Sequence, residues 1–597
     1  MTGRVTGARV RRGLVVAGVV AAVAFPLVSH DPYWQTVLYM CFLMALLAVG
    51  WNVVSGFTGY ASLGQGAFLG YGAYATSLLT LRTHAPVWWF VPVGGVVAAV
   101  IAALLGLVAM RLRGHAFVII TIALVYISQL VAINWRSVTG GTNGLTLPLP
   151  IYGRDWQNTP YYYALLVLLA ASVALSAWIR RTKLGAGLIA IREDEDKAVA
   201  IGVNAFAYKL VAFVASALFA GMAGGVYAYA LTFIDPTGMF DILFSVQLVL
   251  AALLGGRGSV WGPVLGGFLI EFIDEGTNRL FGGGQVHIVL FGAIMVAVIV
   301  FLPRGIVPSA ERLLRRRRER REGRVDQSVD LRVTEREPHR PPVTGRTLLE
   351  LRDVHKRFAG VHAVDGLSFA VQEGSITALI GPNGSGKTTA FNLVHGMLRP
   401  DAGEIVLDGR RVERLPAHRR AHLGLGRTFQ ITRLFPEMTV LENVVAPLPR
   451  FSWRRLAAGA VSGAEAERAR ELLAFVGMAA FAGKRAGELS FGQQKLVEIA
   501  QTLMLDPKLI LLDEPSGGVT PAIVERMVDR IRELNAGGKT FLIVEHNLPL
   551  VAELCDPVVV MAAGKRIAED SAAAVQADPV VLDAYLGADW NGERVEA

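Results

Sequence analysis

From Gly13 to about residue 302 the sequence is a succession of runs of Leu, Val, Ala, Ile, Gly and aromatic residues. Such runs have few homes. A helix of about 20 apolar residues crosses the hydrocarbon core of a bilayer, and a soluble domain has little use for many of them in series. Candidate spans fall near 13–29, 34–54, 60–81, 87–110, 115–134, 160–180, 208–232, 243–256, 260–274 and 286–302. That pattern predicts an α-helical polytopic membrane domain over residues 1–305, with roughly eight to ten crossings. The run at 243–256 is short, and Gly56 to Gly72 is rich enough in glycine to be a broken or re-entrant helix lining a cavity.

Lys and Arg cluster before the first run (Arg4, Arg9, Arg11, Arg12), at Arg111 and Arg113, between Arg180 and Lys209, at Arg257 and after Pro303. The positive-inside rule places these segments in the cytoplasm, so both ends of the membrane domain face inward and the number of crossings is even. The segments around Asp31 and from Trp135 to Asn158 then face outward, where only the single charges Arg82, Arg136 and Arg154 run against the bias. The first run with its basic flank also has the layout of a signal peptide. The spans that follow make a first membrane helix the expectation.

The mean hydropathy of +0.44 over the whole chain owes its sign to that first half; the remainder has the composition of an ordinary soluble domain. Residues 306–345 are arginine-rich, acidic and proline-containing with almost no large apolar side chain, which reads as a basic linker. The net charge of +9 is concentrated there, between Arg304 and Arg324, a position suited to a membrane surface rather than to nucleic acid. Two cysteines far apart, Cys41 and Cys555, exclude a disulfide framework and a thiolate metal site.

A soluble domain over 346–597 opens with LLELRDVHKRF and HAVDGLSFAV, whose alternation predicts antiparallel strands, and Ser375–Ile380 predicts a buried strand entering a glycine loop. That loop, Gly381-Pro382-Asn383-Gly384-Ser385-Gly386-Lys387-Thr388, matches the phosphate-loop pattern in full and precedes a helix-like stretch, Thr389 to Leu398. Its glycines turn backbone N–H groups toward phosphates, Lys387 reaches the β- and γ-phosphates of ATP, and Thr388 offers a hydroxyl to Mg²⁺. About 125 residues on, Leu509 to Leu512 form a buried strand ending in Asp513 and Glu514. With the phosphate loop, Asp513 is expected to hold Mg²⁺ and Glu514 to polarise the attacking water. Taken alone, the same carboxylates could cap a helix.

Leu489-Ser490-Phe491-Gly492-Gln493-Gln494-Lys495 resembles the signature sequence of ABC ATPases, and the resemblance extends over essentially all of 346–597. It implies an α/β P-loop nucleotide-binding domain of ABC type. It also implies that Gln430 in RTFQ contributes to the Q-loop and the metal site, that His546 in IVEH is the switch histidine, and that Phe358 stacks on adenine. The phosphate-loop residues through Thr389 would bind ATP, and Ser490, Gly492 and Gln493 would meet the γ-phosphate of a nucleotide held by a second ATPase. Two positions depart from the pattern: Phe491 stands where Gly is common, a change that fits one subgroup, and Thr520 stands where Asp or Asn is common.

Gly426–Val444, Leu489–Ala500 and the tail Asp578–Gly587 are similar to the branched-chain amino acid importer subgroup, and Trp51–Phe68 and Thr139–Leu145 are similar to the permeases of the same importers. Arg192–Gly202 resembles the segment by which such permeases dock on their ATPases, although a solvated charge run is the plainer reading. The resemblance implies ATP-driven import across the cytoplasmic membrane. It further implies a second permease and a second ATPase, or a second copy of this chain, and an extracytoplasmic substrate-binding protein. Urea or a short-chain amide is an alternative solute, and an ABC exporter or a regulatory ATPase is an alternative function. Asp235, Glu271, Asp274 and Glu275 border or enter apolar runs and are expected at membrane interfaces, outside the substrate path.

Overall fold

The computed structural model describes residues 2–148, 152, 156–282, 289–290, 292–293, 296–297, 300–302, 305–310, 343–447 and 452–586. Residues 311–342 of the basic linker, part of the candidate span at 286–302, Arg154 and Gly587 lie outside the described residues. Helices α1 (Thr2–Val28), α2 (Pro32–Trp51), α3 (Gln65–Thr83), α4 (Val91–Ala109), α5 (His115–Asn134) and α6 (Thr159–Arg180) come first. Two short helices, α7 (Lys183–Glu193) and α8 (Glu195–Ala200), precede α9 (Ala205–Leu231), α10 (Ile242–Gly255) and α11 (Gly262–Phe281). The chain forms two compact units: Met1–Arg181 with Phe206–Arg324, and Thr182–Ala205 with Val325–Ala597. The short segment carrying α7 and α8 thus groups with the soluble unit, although its sequence neighbours are membrane helices.

In the first unit α2 is the central element. Asp31 caps it by accepting a hydrogen bond from the Tyr33 N–H (2.9 Å), Pro32 starts it, and its side chains from Cys41 to Trp51 are buried against α6, α10 and α11. Six stretches among the described residues are long and apolar enough to cross a membrane: Pro32–Gly56, Val87–Ala109, His115–Asn134, Thr159–Arg180, Ala205–Leu231 and Pro236–Gly255. The run that looks short in sequence reaches full length because the turn Pro236–Met239, capped by Asp235, leads into it. The candidate near 260–274 is the longer helix α11, whose Glu271, Asp274, Glu275 and Arg279 dilute its apolar character. Helix α3 is diluted by Tyr, Ser, Thr and Gly, and α1 is apolar only over Val16–Val28.

The glycine-rich stretch is a broken helix. After Trp51 the helix widens into a π-turn, Asn52–Gly56, ends at Thr58 and resumes at Gln65. The break is filled with polar groups that satisfy one another, as buried backbone requires. The wholly buried Asn52 accepts from the Gly258 N–H (2.7 Å) and donates to the Ser259 carbonyl (2.9 Å). The Trp51 indole donates to the Ser62 carbonyl (2.6 Å), and Gln65 donates to the Ser216 hydroxyl (2.8 Å). Close crossing of α3 and α9 depends on Gly72, where a Cβ would lie 2.0 Å from the Gly221 carbonyl oxygen.

The second unit contains two sheets. Strands β1 (Thr347–Phe358), β2 (Val361–Gln372), β4 (Ala402–Leu407) and β5 (Arg410–Arg411) form an antiparallel sheet in the order β2-β1-β4-β5, which matches the alternating burial seen in sequence. The other sheet runs β10-β9-β3-β8-β7-β6, with β3 Ile376–Ile380, β6 Leu425–Arg427, β7 Leu509–Asp513, β8 Thr540–Val544, β9 Val558–Ala562 and β10 Lys565–Asp570. All its pairings are parallel except β9 with β10. Strands β3, β7 and β8 are buried throughout, as central parallel strands covered on both faces must be.

Candidate nucleotide site

The phosphate loop leaves the carboxyl end of β3 and enters α12 (Lys387–His395). Backbone conformation demands glycine at both ends of the loop: Gly381 has φ 149° and Gly386 φ 99°, and a Cβ at either would lie 2.1 Å from a carbonyl oxygen, of Met561 and Ala363 respectively. Asn383, Gly384 and Thr388 are exposed, Pro382 and Thr389 are half-buried, and Ser385 is buried. The Lys387 side chain folds back over the loop and donates to the carbonyls of Gly381 (2.7 Å) and Pro382 (2.9 Å). Burial holds its ammonium below the usual lysine range, with Glu514 and Asp513 opposing the shift.

Asp513 ends β7 with its side chain buried against Arg427, whose guanidinium donates to Oδ2 at 3.2 Å. Arg427 also donates to Asn392 of α12 (2.7 Å), so it ties the acidic strand end to the phosphate-loop helix. Burial raises the Asp513 carboxyl above the usual range, and Arg427 works in the opposite direction. Glu514 follows in the left-handed region at φ 46°, held by a hydrogen bond from its N–H to the Val544 carbonyl (2.9 Å). A non-glycine residue there is strained by about 1–3 kcal/mol. That backbone aims the carboxylate between Gln430, which donates to Oε2 (2.8 Å), and His546, whose Nε2 lies 2.6 Å from Oε1.

Ser490 caps α14, the helix Phe491–Leu503, since α13 is Gly463–Phe475. Its hydroxyl accepts from the Gln493 N–H (3.4 Å), and the Gln493 side chain accepts from the Ser490 N–H (3.0 Å), a closed capping box. Gly492 is buried where a Cβ would lie 2.3 Å from Ile523. Among the described residues no hydrogen bond joins Ser490 or Gly492 to the phosphate loop. Phe358, at the end of β1, is exposed, with the Lys356 ammonium 5.6 Å from its ring centre.

Three family models match the chain: a branched-chain amino acid transport system permease component over residues 33–299, an ABC transporter over 364–517, and a branched-chain amino acid ATP-binding cassette transporter over 565–591. A probable branched-chain amino acid transport ATP-binding protein LivG of Archaeoglobus fulgidus is 39% identical over 248 residues, 40% of this chain and 96% of that protein. The high-affinity branched-chain amino acid transport ATP-binding protein BraF of Pseudomonas aeruginosa is 38% identical over 251 residues, 40% of this chain and 98% of that protein. The LivG protein of Escherichia coli K12 is 35% identical over 253 residues, again 40% and 98%. The chain belongs to the branched-chain amino acid ABC transporter family, with permease and ATP-binding protein joined. It is a membrane protein, and its soluble unit is an ABC ATPase that binds nucleotide and couples hydrolysis to transport.

In this ABC ATPase three side chains that the motif reading passed over complete the site. Lys495, the last residue of the signature string, is buried and donates to the carbonyls of Glu514 (2.8 Å), Pro515 (3.0 Å) and Gly517 (2.9 Å). Glu545, beside His546, accepts from the Ser516 (2.8 Å), His546 (2.9 Å) and Asn547 (3.2 Å) N–H groups. Together they fix the segment after Glu514 from both sides. Arg427 is the third. All three lie inside strings already singled out in sequence, so their position within the motifs was the available signal.

Proposed function

We propose that this chain imports branched-chain amino acids across the cytoplasmic membrane, driven by ATP hydrolysis in a cytoplasmic ATPase domain. The observation that carries the reading is the Glu514 carboxylate gripped by Gln430 and His546 at a strand end beside a complete phosphate loop, in one chain with a branched-chain permease match. Glu514 serves as the base or water-orienting carboxylate, His546 and Gln430 fix its direction, and Gly381 through Thr389 cradle the phosphates while Phe358 stacks on adenine. Thr388, Gln430 and Asp513 supply a hydroxyl, an amide oxygen and a carboxylate. This all-oxygen set suits Mg²⁺, which would supply positive charge to offset that of the phosphates.

Ser490, Gly492 and Gln493 make no hydrogen bond to the phosphate loop among the described residues, and they are assigned to the γ-phosphate of a nucleotide held by a second ATPase. The full transporter then contains a second permease and a second ATPase, separate or as another copy of this chain, served by an extracytoplasmic binding protein. The test is uptake of radiolabelled leucine by vesicles containing the chain and its co-purifying partners, with urea as competitor. ATP-dependent uptake that disappears in Glu514→Gln is expected. Robust hydrolysis with no solute entry overturns the importer reading, and competition by urea moves the solute to small amides.

A further inference from the structure

The segment Thr182–Ala205 joins two membrane helices in sequence yet packs within the ATPase unit, and among the described residues ion pairs hold it there, including those of Lys183, Arg192, Asp194 and Lys197. Lys183 pairs with Glu465, Arg192 with Glu437 (3.1 Å) and Arg433 with Asp194 (2.9 Å), each at least partly open to solvent. The fourth is different in kind. Lys197, on α8, meets Glu498, on α14, at 2.6 Å, and their side chains are only 1% and 2% exposed.

Adhesion does not account for such a pair. Removing two charges from water costs several kcal/mol per ion, and apolar residues of similar volume usually hold a surface together as well or better. Its surroundings suggest what it does. Glu498 lies three residues after Lys495 on α14, so the two share one face of that helix. Lys495 holds the Glu514 carbonyl. On its other side the Lys197 ammonium sits 5.7 Å from the ring centre of Phe429, whose neighbour Gln430 holds the Glu514 carboxylate. Asp194 fixes the start of α8 by accepting from the Lys197 N–H (2.8 Å), so the lysine is anchored at its main chain as well as at its tip. One ammonium therefore lies beside two of the routes by which this chain grips Glu514, through Glu498 next to Lys495 and through Phe429 next to Gln430, and in a low-dielectric site its attraction to Glu498 changes steeply with distance.

We propose that the Lys197–Glu498 pair is the relay between the nucleotide site and the permease segment, and that the three outer ion pairs only hold the segment in place. Lys197 and Glu498 act as positioning residues. The proposal rests on the reading that ATP turnover drives the permease, and it adds the pair that carries the signal.

Three forms of the full chain, isolated with its partners, separate relay from adhesion: the parent, Lys197→Met, and Lys197→Met with Glu498→Leu. The double variant removes both charges and leaves neither buried alone. Amide hydrogen exchange over residues 183–200 is read with and without ATP in a Glu514→Gln background, which needs no transported solute. Leucine uptake and ATP hydrolysis are read on the same forms with Glu514 intact. The expected result is that ATP alters exchange of the segment in the parent, whereas in the double variant the segment stays protected but no longer responds. Uptake then falls about tenfold relative to hydrolysis, an ordinary size for coupling between sites. A double variant that responds to ATP like the parent overturns the relay, and so does a parent whose segment ignores ATP. A double variant whose segment loses protection shows the pair to be adhesive and also overturns it. Parent vesicles that take up no leucine count against the solute assignment alone, because the exchange readout stands without it.

Discussion

The ammonium of Lys495 donates to the main-chain carbonyl of Glu514 at 2.8 Å, so the signature helix holds the backbone of the residue proposed to polarise water. Lys495→Met removes three charge-assisted hydrogen bonds, each worth about 1.5–3 kcal/mol net and not additive. ATP turnover in the variant is expected to fall about tenfold or more, with nucleotide affinity little changed, because among the described residues its ammonium bonds the segment after Glu514 and not the phosphate loop. Lys495→Arg should recover part of the loss. Steady-state hydrolysis and nucleotide binding measured together check this.

Glu514 combines the carboxylate proposed to orient water with a strained backbone. Glu514→Gly relaxes the φ of 46° and should stabilise the ATPase unit by about 1 kcal/mol while hydrolysis falls by about 10²-fold or more. Glu514→Gln should lose the same activity without the gain in stability. A thermal unfolding transition monitored by fluorescence separates the two, and a Glu514→Gly protein less stable than Glu514→Gln would contradict the argument.

Burial raises the Glu193 carboxyl from 4.5 to about 7, against the opposing pull of Arg192. A carboxyl whose folded-state pKa is raised keeps its extra proton in the folded state, so its contribution to stability is complete below about pH 4.5. It is lost as pH rises toward 7 and changes no further above that. The docked segment should therefore exchange amide hydrogens faster at pH 8 than at pH 5.5, after correction for intrinsic rates. Glu193→Gln should flatten that difference.

Arg420 is wholly buried with no carboxylate hydrogen-bonded to it among the described residues, and its guanidinium donates to the carbonyls of Leu393 (2.6 Å), Val394 (2.7 Å), Leu415 (3.0 Å) and Glu413 (3.2 Å). Two of these carbonyls belong to the last turn of α12, so the cation sits where the helix dipole favours it. Arg420→Met leaves them unsatisfied and should cost on the order of 3 kcal/mol, lowering the unfolding temperature of the ATPase unit. ATP, by binding the folded state, should raise that temperature in parent and variant alike.

The elements legible in sequence are those whose cause is local. The phosphate loop needs glycine where the chain turns left-handed, β3, β7 and β8 show their burial as unbroken apolar runs, and Ser490 with Gln493 writes a capping box within four residues. What was hidden depends on partners distant in sequence. Arg420, Lys495 and Glu545 bind main-chain groups, and a carbonyl carries no residue-specific mark. Span assignment suffered from the opposite problem. Composition alone cannot separate a helix such as α11, apolar at its start and charged at its end, from a run that is apolar throughout, and it cannot show that Pro236–Met239 lengthens a short one.

Joining the permease to its ATPase makes the meeting of Lys197 with Glu498 an intramolecular event. Its equilibrium is set by the effective concentration that a covalent connection imposes and is indifferent to how much protein the cell makes. A contact governed in this way can afford to be weak. It can open and re-form in every cycle without the subunits parting, a freedom that separately encoded permeases and ATPases would lose on dilution.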